Sequence, residues 1–268
     1  MPARVYDRLA GGSHSFAVDR EMAAQLLAVE PDAEFWARQN REFLRRALRW
    51  SVDTAGVGQV LDIGCGMPET VGSAHQVTAG CRPMVRVLYV DNDPVAVASA
   101  RIVARERAEV GDVAGIAGDL RDPVQIMTHP ELTGFLHLDA PVVVLLGAVL
   151  HFVSDSDGPA GIIATLRDHV APGSVLVISH ATVPQGMTPE QVRITREYSA
   201  LTAHLTFRTR DQVAELLAVF GDVVDPGVCK VADWRPEPQE QRLSGPERAR
   251  RDRIPGWVGV AVKVGGAW

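Results

Sequence analysis

The 268-residue sequence predicts an α/β protein with a doubly wound, mostly parallel sheet. Three observations predict it. Short β-branched runs alternate with segments of helical period, the first run enters the glycine turn Gly64-Cys65-Gly66, and acidic residues stand at the ends of successive runs.

The elements follow in order. Residues 18–29 and 32–54 place apolar side chains such as Phe35, Phe43, Leu44, Ala47 and Leu48 at helical spacing, with Arg38, Arg41, Arg45 and Arg49 largely on the other side. Two leading helices are predicted. After Gly56 the period changes, and strands are predicted at Gln59 to Ile63, Val85 to Val90, Val113 to Ala117, Val142 to Leu146 and Val175 to Ser179. Helices separate them at Glu69 to Thr78, Pro94 to Glu109, Val124 to Phe135 and Ala160 to Val170, the last stopped by Ala171-Pro172-Gly173. Beyond lie helices at Thr188 to Ala203 and Asp211 to Phe220, and strands at Asp222 to Ala232 and Trp257 to Val264. Arg235 to Gly256, rich in Pro, Arg and Glu, reads as an exposed insertion.

Composition narrows the function classes. At 46% apolar the chain can build a core that buries roughly three-quarters of its unfolded surface, so disordered and collagenous classes are excluded. A formal charge of −6 argues against a nucleic-acid partner. Cys65, Cys81 and Cys229 are widely spaced and show no C-x-x-C pairing, which predicts neither a disulfide framework nor a metal site and suits a reducing, cytoplasmic setting. No signal-peptide layout is present at the start, and the longest apolar stretch, Pro141 to Val153, is shorter than the roughly 20 residues of a membrane span. Arg248, Arg250, Arg251 and Arg253 are diluted by Glu247 and Asp252 and read as a solvated face.

The most informative segment is Val60-Leu61-Asp62-Ile63-Gly64-Cys65-Gly66. Glycines serve where backbone must bend sharply and approach a ligand, although G-x-G alone is equally an ordinary strand-to-helix turn. Asp91 and Asp119 follow two later strands. In a doubly wound sheet the carboxyl ends of neighbouring strands line one crevice, so Asp62, Asp91 and Asp119 converge there, with Asp91 placed for ribose hydroxyls and Asp119 for an adenine amino group. A dinucleotide fingerprint would place a third glycine where Glu69 stands, and a carboxylate there repels a pyrophosphate but tolerates a sulfonium and an ammonium. That charge argument favours S-adenosyl-L-methionine.

At these residues the sequence resembles class I S-adenosylmethionine-dependent methyltransferases: V-L-D-I-G-C-G is similar to their first motif, L-Y-V-D-N-D to the second and G-D-L-R-D-P to the third. R-V-Y-D-R-L-A-G-G at 4–12, Asp19-Arg20 and N-R-E-F-L-R-R-A at 40–47 further resemble the N-terminal signature of an S-adenosyl methyltransferase family found mainly in GC-rich bacteria and once catalogued as a domain of unknown function. Arg8-Leu9-Ala10 departs from it. The resemblance implies a seven-stranded sheet with an antiparallel last strand, an N-terminal helical cap or lid over residues 1–55 and a methyltransferase domain over 56–268, together one compact unit. It implies cofactor contacts at Asp62, Gly64, Cys65 and Gly66 of the first motif, Asp91 and Asn92 of the second, and Asp119 and Leu120 of the third. Further contacts are implied at Gly147 and Ala148 after the fourth strand and at Tyr6, Gly12 and Phe16 of the N-terminal segment. Asn40 and Arg41 face the methionine carboxylate, which suits a guanidinium, or else belong to an ordinary solvated helix face.

The expected function is methyl transfer to oxygen or nitrogen of a small molecule. A non-catalytic S-adenosylmethionine-binding protein and a nicotinamide-dependent oxidoreductase are the rivals. Candidate bases are His151, after the fourth strand, and His180, after the fifth; each is otherwise a packed, hydrogen-bonded histidine of the pocket floor. Asp155 and Asp157 read as a helix-capping turn, and no metal is expected.

Overall fold

A computed structural model describes residues 2–69, 72–82, 84–183, 193, 205–238 and 244–265. Strands β1 (Gln59–Ile63), β2 (Arg86–Asp91), β3 (Val113–Ala117), β4 (Val143–Gly147) and β5 (Val175–Ala181) are parallel, in the order β3-β2-β1-β4-β5. Their runs of Val, Leu and Ile are buried on both faces, as a parallel sheet between helices requires. The chain steps outward from β1 to β3 and then returns to the other side of β1 as β4. A crevice opens at that reversal, above the carboxyl ends of β1 and β4.

The sheet has eight strands where seven were expected. β6 (Asp222–Val223) and β7 (Cys229–Lys230) replace the single strand read over 222–232, and both pair antiparallel with β8 (Gly256–Val262), which is itself antiparallel to β5. Pro226 has no N–H for a ladder and Gly227 takes φ +80°, so the run breaks into a turn.

The helices that open the chain are α1 (Pro2–Leu9), α2 (Ala17–Val29) and α3 (Ala33–Asp53). The first had no sequence forecast: it is eight residues of mostly polar character, whose Val5 and Leu9 are nevertheless buried in a small cluster with Ala23, Ala33 and Ala37. α3 lays Phe43, Ala47, Leu48 and Val52 on one sheet face, where Phe43 meets Trp234 edge-on at 5.6 Å. Arg46 is buried beside them because its guanidinium donates to the carbonyls of Trp234 and Val231, both at 3.0 Å.

α4 (Ala74–Ala79) starts later than its forecast, after Pro68 and a left-handed Gly72, and α5 (Pro94–Glu106) is capped by Asp93, which accepts from the Val95 N–H at 2.9 Å. The helix expected over 124–135 is two, α6 (Pro123–Met127) and α7 (Pro130–Phe135), because Pro130 forces a new start capped by His129. α8 (Pro159–Asp168), α9 (Arg210–Phe220) and α10 (Gly245–Asp252) complete the chain. The expected helix over 188–203 lies outside the described residues. The Arg-rich α10 is exposed yet anchored, for Arg250 donates to Asp32 at 2.8 Å and stacks on Phe35 at 4.2 Å. No helix among the described residues is long and apolar enough to cross a membrane.

Candidate active site

The turn after β1 is held from the neighbouring strand. The N–H groups of Gly64 and Cys65 donate to the Val90 carbonyl at 2.8 and 3.2 Å, and Gly66 N–H donates to Asp91 Oδ2 at 2.9 Å. Gly64 (φ +76°) and Gly66 (φ +63°) both take left-handed backbone, for different reasons of space. A Cβ on Gly64 would overlap Val149, whereas one on Gly66 would meet only Ala3 Cβ, 3.9 Å away. Gly66→Ala is therefore expected to cost roughly 1 kcal/mol, the strain of a left-handed alanine. Because its methyl projects into open space under α1, it should also weaken S-adenosylhomocysteine about tenfold. Thermal melts and calorimetric titration check the two effects separately.

Asp91 is gripped at both oxygens, since Oδ1 accepts from the Asp93 N–H at 2.8 Å while Oδ2 takes Gly66. Burial raises its pKa and those amides oppose the rise. Asp62 differs. It is 8% exposed and receives no hydrogen bond among the described residues, so burial, with Asp91 nearby, pushes its carboxyl up to about 7 despite the opposing charge of Arg41.

Above these acids lies a cavity of about 920 Å³ running along the carboxyl ends of the sheet. At the β2 and β3 end its walls include Asp91, Asn92, Asp119 and Leu120. In the middle are Asp62, Gly64, Cys65, Gly66, Gly147 and Ala148, and over them Tyr6, Asn40 and Arg41 from α1 and α3. His151 and His180 lie at the β4 and β5 end.

Gly12 and Phe16 do not line the cavity. A Cβ at Gly12 would overlap the Asp7 carboxylate, and Phe16, 57% exposed, stacks beneath Arg4 at 5.1 Å. Glu69 is also absent from the walls: it accepts from Ser99 Oγ at 2.7 Å and sits 3.1 Å from His14 Nε2, so it closes the N-terminal loop instead of facing a cofactor. Glu69 is thus not placed to discriminate a sulfonium from a pyrophosphate, whereas Asp62 and Asp91 line the cavity.

Asp119 is engaged as well. Arg121 donates to it through Nε at 2.9 Å, Nη2 at 2.6 Å and its backbone N–H at 3.0 Å, and Asn92 adds Nδ2 at 3.1 Å. The guanidinium beside it holds its carboxyl down at about 2. Asn40 donates to Tyr6 Oη at 2.8 Å, and Tyr6 donates to the Ala37 carbonyl at 3.3 Å, which ties α1 to α3 at the cavity roof. Arg4 ties α1 to the site from the side, donating to Asp19 at 2.8 Å and to Asp93 at 2.6 Å.

The two histidines share one neighbour that no sequence pattern indicated. Arg208, 3% exposed, donates to the carbonyls of Leu150 at 3.1 Å and Val153 at 2.9 Å and to Asp155 at 2.7 Å. It also lies 2.9 Å from His180 Nε2. An isolated arginine between apolar residues carries no spacing signal, and its partners are remote in sequence.

A buried carboxylate that receives no hydrogen bond among the described residues suits an ammonium, and a second, fixed by backbone amides, suits vicinal hydroxyls. Two acids and no free amide nest at this turn do not suit a pyrophosphate. The residues present therefore fit an aminoacyl-bearing adenosine. No curated protein matches the sequence. Among solved structures, the chain is similar to a candidate methyltransferase from Thermobifida fusca, with 30% identity, coverage of 98% of this chain and 94% of the other, and a TM-score of 0.85. A DUF574-family protein from Streptomyces avermitilis gives 31%, 98%, 97% and 0.86. The magnesium protoporphyrin IX methyltransferase of Synechocystis, solved with S-adenosylmethionine bound, shares the fold at a TM-score of 0.52 and 14% identity, over 97% of this chain and 89% of that one. Residues 1–264 match the S-adenosyl methyltransferase family, and the chain belongs to that family of enzymes, with S-adenosyl-L-methionine as its methyl donor.

Proposed function

We propose that the protein methylates oxygen or nitrogen of a small molecule seated over the ends of β4, β5 and β8, with residues 1–55 acting as the cap of one compact unit. The observation that carries this reading is one long cavity with Asp91 at one end, Asp62 in the middle and His151 at the other end. In it Asp91 takes the ribose hydroxyls, Asp62 the ammonium, and Arg41 with Asn40 the methionine carboxylate. Bound S-adenosylmethionine supplies a methyl carbon already activated by its sulfonium. Orientation within a closed cavity contributes roughly 7 to 11 kcal/mol to such a displacement, and a general base roughly 3 to 5. The walls therefore matter more than a base. The net charge of −6 disfavours a nucleic acid as acceptor. Calorimetric titration with S-adenosylmethionine and S-adenosylhomocysteine tests the cofactor end, and turnover of labelled cofactor across a metabolite panel tests the acceptor end; absence of binding at millimolar ligand overturns the reading.

Asp62 adds a pH signature. Its carboxyl is raised to about 7, so in the free protein this group contributes stability at low pH that is lost as pH rises towards 7. A cation beside it favours the ionised form. Binding is expected to release a proton at about pH 6 and none at about pH 8, and affinity should climb with pH up to about 7 and then level. Titrations in buffers of different ionisation heat read the proton directly, and Asp62→Asn should erase the slope. A buffer-independent heat at the lower pH would remove Asp62 from the ammonium role.

A further inference from the structure

The hydrogen bonds of the two histidines decide what they offer an acceptor. His180 Nδ1 lies 2.7 Å from the Ala181 carbonyl, so it carries the ring proton and donates it. Its Nε2 faces Arg208 Nη1 at 2.9 Å, and because a guanidinium only donates, the Nε2 lone pair is spent. Both nitrogens of His180 are occupied. His151 Nδ1 accepts the Ala181 N–H at 3.4 Å, which leaves its proton on Nε2, and Nε2 has no partner among the described residues. His151 thus presents an N–H donor to the cavity. The groups facing it are His180 from β5 and Arg208 from the segment before α9, with Asp155 behind Arg208 and the Phe152 ring at 4.4 Å. Burial, then His180 and Arg208, hold its imidazole down at about 3, so it stays neutral at physiological pH.

The surrounding wall is largely apolar. The Thr206 N–H donates to the His151 carbonyl at 2.8 Å, and this contact turns Leu205 and Phe207 towards the cavity, where Phe152 also contributes a ring. Ser179 Oγ is already used, accepting from the Ala148 N–H at 2.9 Å. Residues 179–182, 205–207 and 254–255 bring no carboxylate, ammonium or guanidinium side chain to this wall. An aliphatic alcohol or a protonated amine would need a base that none of these described residues supplies. An acidic hydroxyl would not.

We propose, resting on the methyltransferase reading above, that the acceptor is an aromatic hydroxyl compound whose oxygen enters already deprotonated, received by the His151 Nε2–H with its ring against Phe152 and Phe207. A lone pair of that oxygen forms the O–CH₃ bond as the C–S bond breaks, and the C–S electron pair stays on sulfur. Anion and sulfonium become a neutral ether and a neutral thioether, with no proton for the protein to take. The sulfonium offsets the cost of bringing the anion into an apolar site.

Titration with S-adenosylhomocysteine first settles whether the cofactor binds; its failure would remove the underlying reading, not the acceptor class alone. On the protein loaded with S-adenosylhomocysteine, para-nitrophenol is expected to bind with its phenolate absorption band retained. With S-adenosylmethionine, para-nitrophenol and phenol should be methylated, with a pH midpoint of kcat/KM that follows each acceptor's own acidity, while benzyl alcohol and benzylamine, protonated near neutral pH, are not. His151→Leu should lose roughly 10- to 100-fold in kcat/KM, the worth of one hydrogen bond to a charged oxygen, and His151→Gln, which keeps an N–H donor, should lose clearly less. A midpoint common to all acceptors, equal losses in both variants, methylation of benzyl alcohol or of benzylamine near neutral pH, or failure of both phenols to bind would each overturn the proposal.

Discussion

Asp91→Ala is expected to weaken S-adenosylhomocysteine by about 100-fold or more, with little change in thermal stability. Two hydroxyl hydrogen bonds to a carboxylate contribute roughly 1.5 to 3 kcal/mol each, so losing both is worth at least about 3 kcal/mol, or two decades of affinity. The same carboxylate also fixes the turn by accepting from Gly66 and Asp93, and its loss loosens the backbone against which the ligand rests. Stability should move less, because burial already disfavours this charge and opposes what its hydrogen bonds gain. Asp91→Asn keeps the shape, but its NH₂ must face one of the two backbone donors, so it should fall close to the alanine variant. Paired calorimetry and melting curves read the two quantities, and retained affinity in both variants would exclude Asp91 as the ribose anchor.

Arg208→Met is expected to destabilise the protein by about 3 kcal/mol and lower Tm by roughly 6 to 12 °C. The pair with Asp155 contributes little to that figure, since Asp155 is exposed and its charge is readily solvated. The loss comes from the carbonyls of Leu150 and Val153, which are left without donors in a region closed to water. Arg208→Lys should recover part of it, since one ammonium cannot reach all four partners. Catalysis offers a second readout. Without the guanidinium, His180 Nε2 is free and the imidazole, now held by burial down at about 4, should titrate higher. A pH profile that acquires a new enzyme-dependent limb in Arg208→Met, absent from the parent, would show that Arg208 keeps His180 out of proton transfer. An unchanged melt would show that the bracket is dispensable.

Much of the architecture was readable from the chain because local period reports burial. The five parallel strands lie within a residue or two of the β-branched runs, and the left-handed Gly64 and Gly66 sit where the motif placed them. Local period failed where a single residue overrode it, as with Pro226 splitting one strand and Pro130 splitting one helix. It was silent on α1, whose Arg4 is buried because it finds Asp19 and Asp93 and whose Asp7 is buried accepting from the His14 N–H.

Glycine spacing, strand-end acids and helical stripes are properties of neighbouring residues, so reading the chain alone was enough to locate the crevice and to indicate the family and its methyl donor. The roles within the crevice depend on partners that are distant along the chain. Glu69 turned to His14 and Ser99, Asp62 was left without a hydrogen bond among the described residues, and His180 was bound by an arginine 28 positions away. Hydrogen bonds and desolvation act over a few ångströms in space, and only the folded packing of β4, β5 and the segment before α9 brings those groups within that distance.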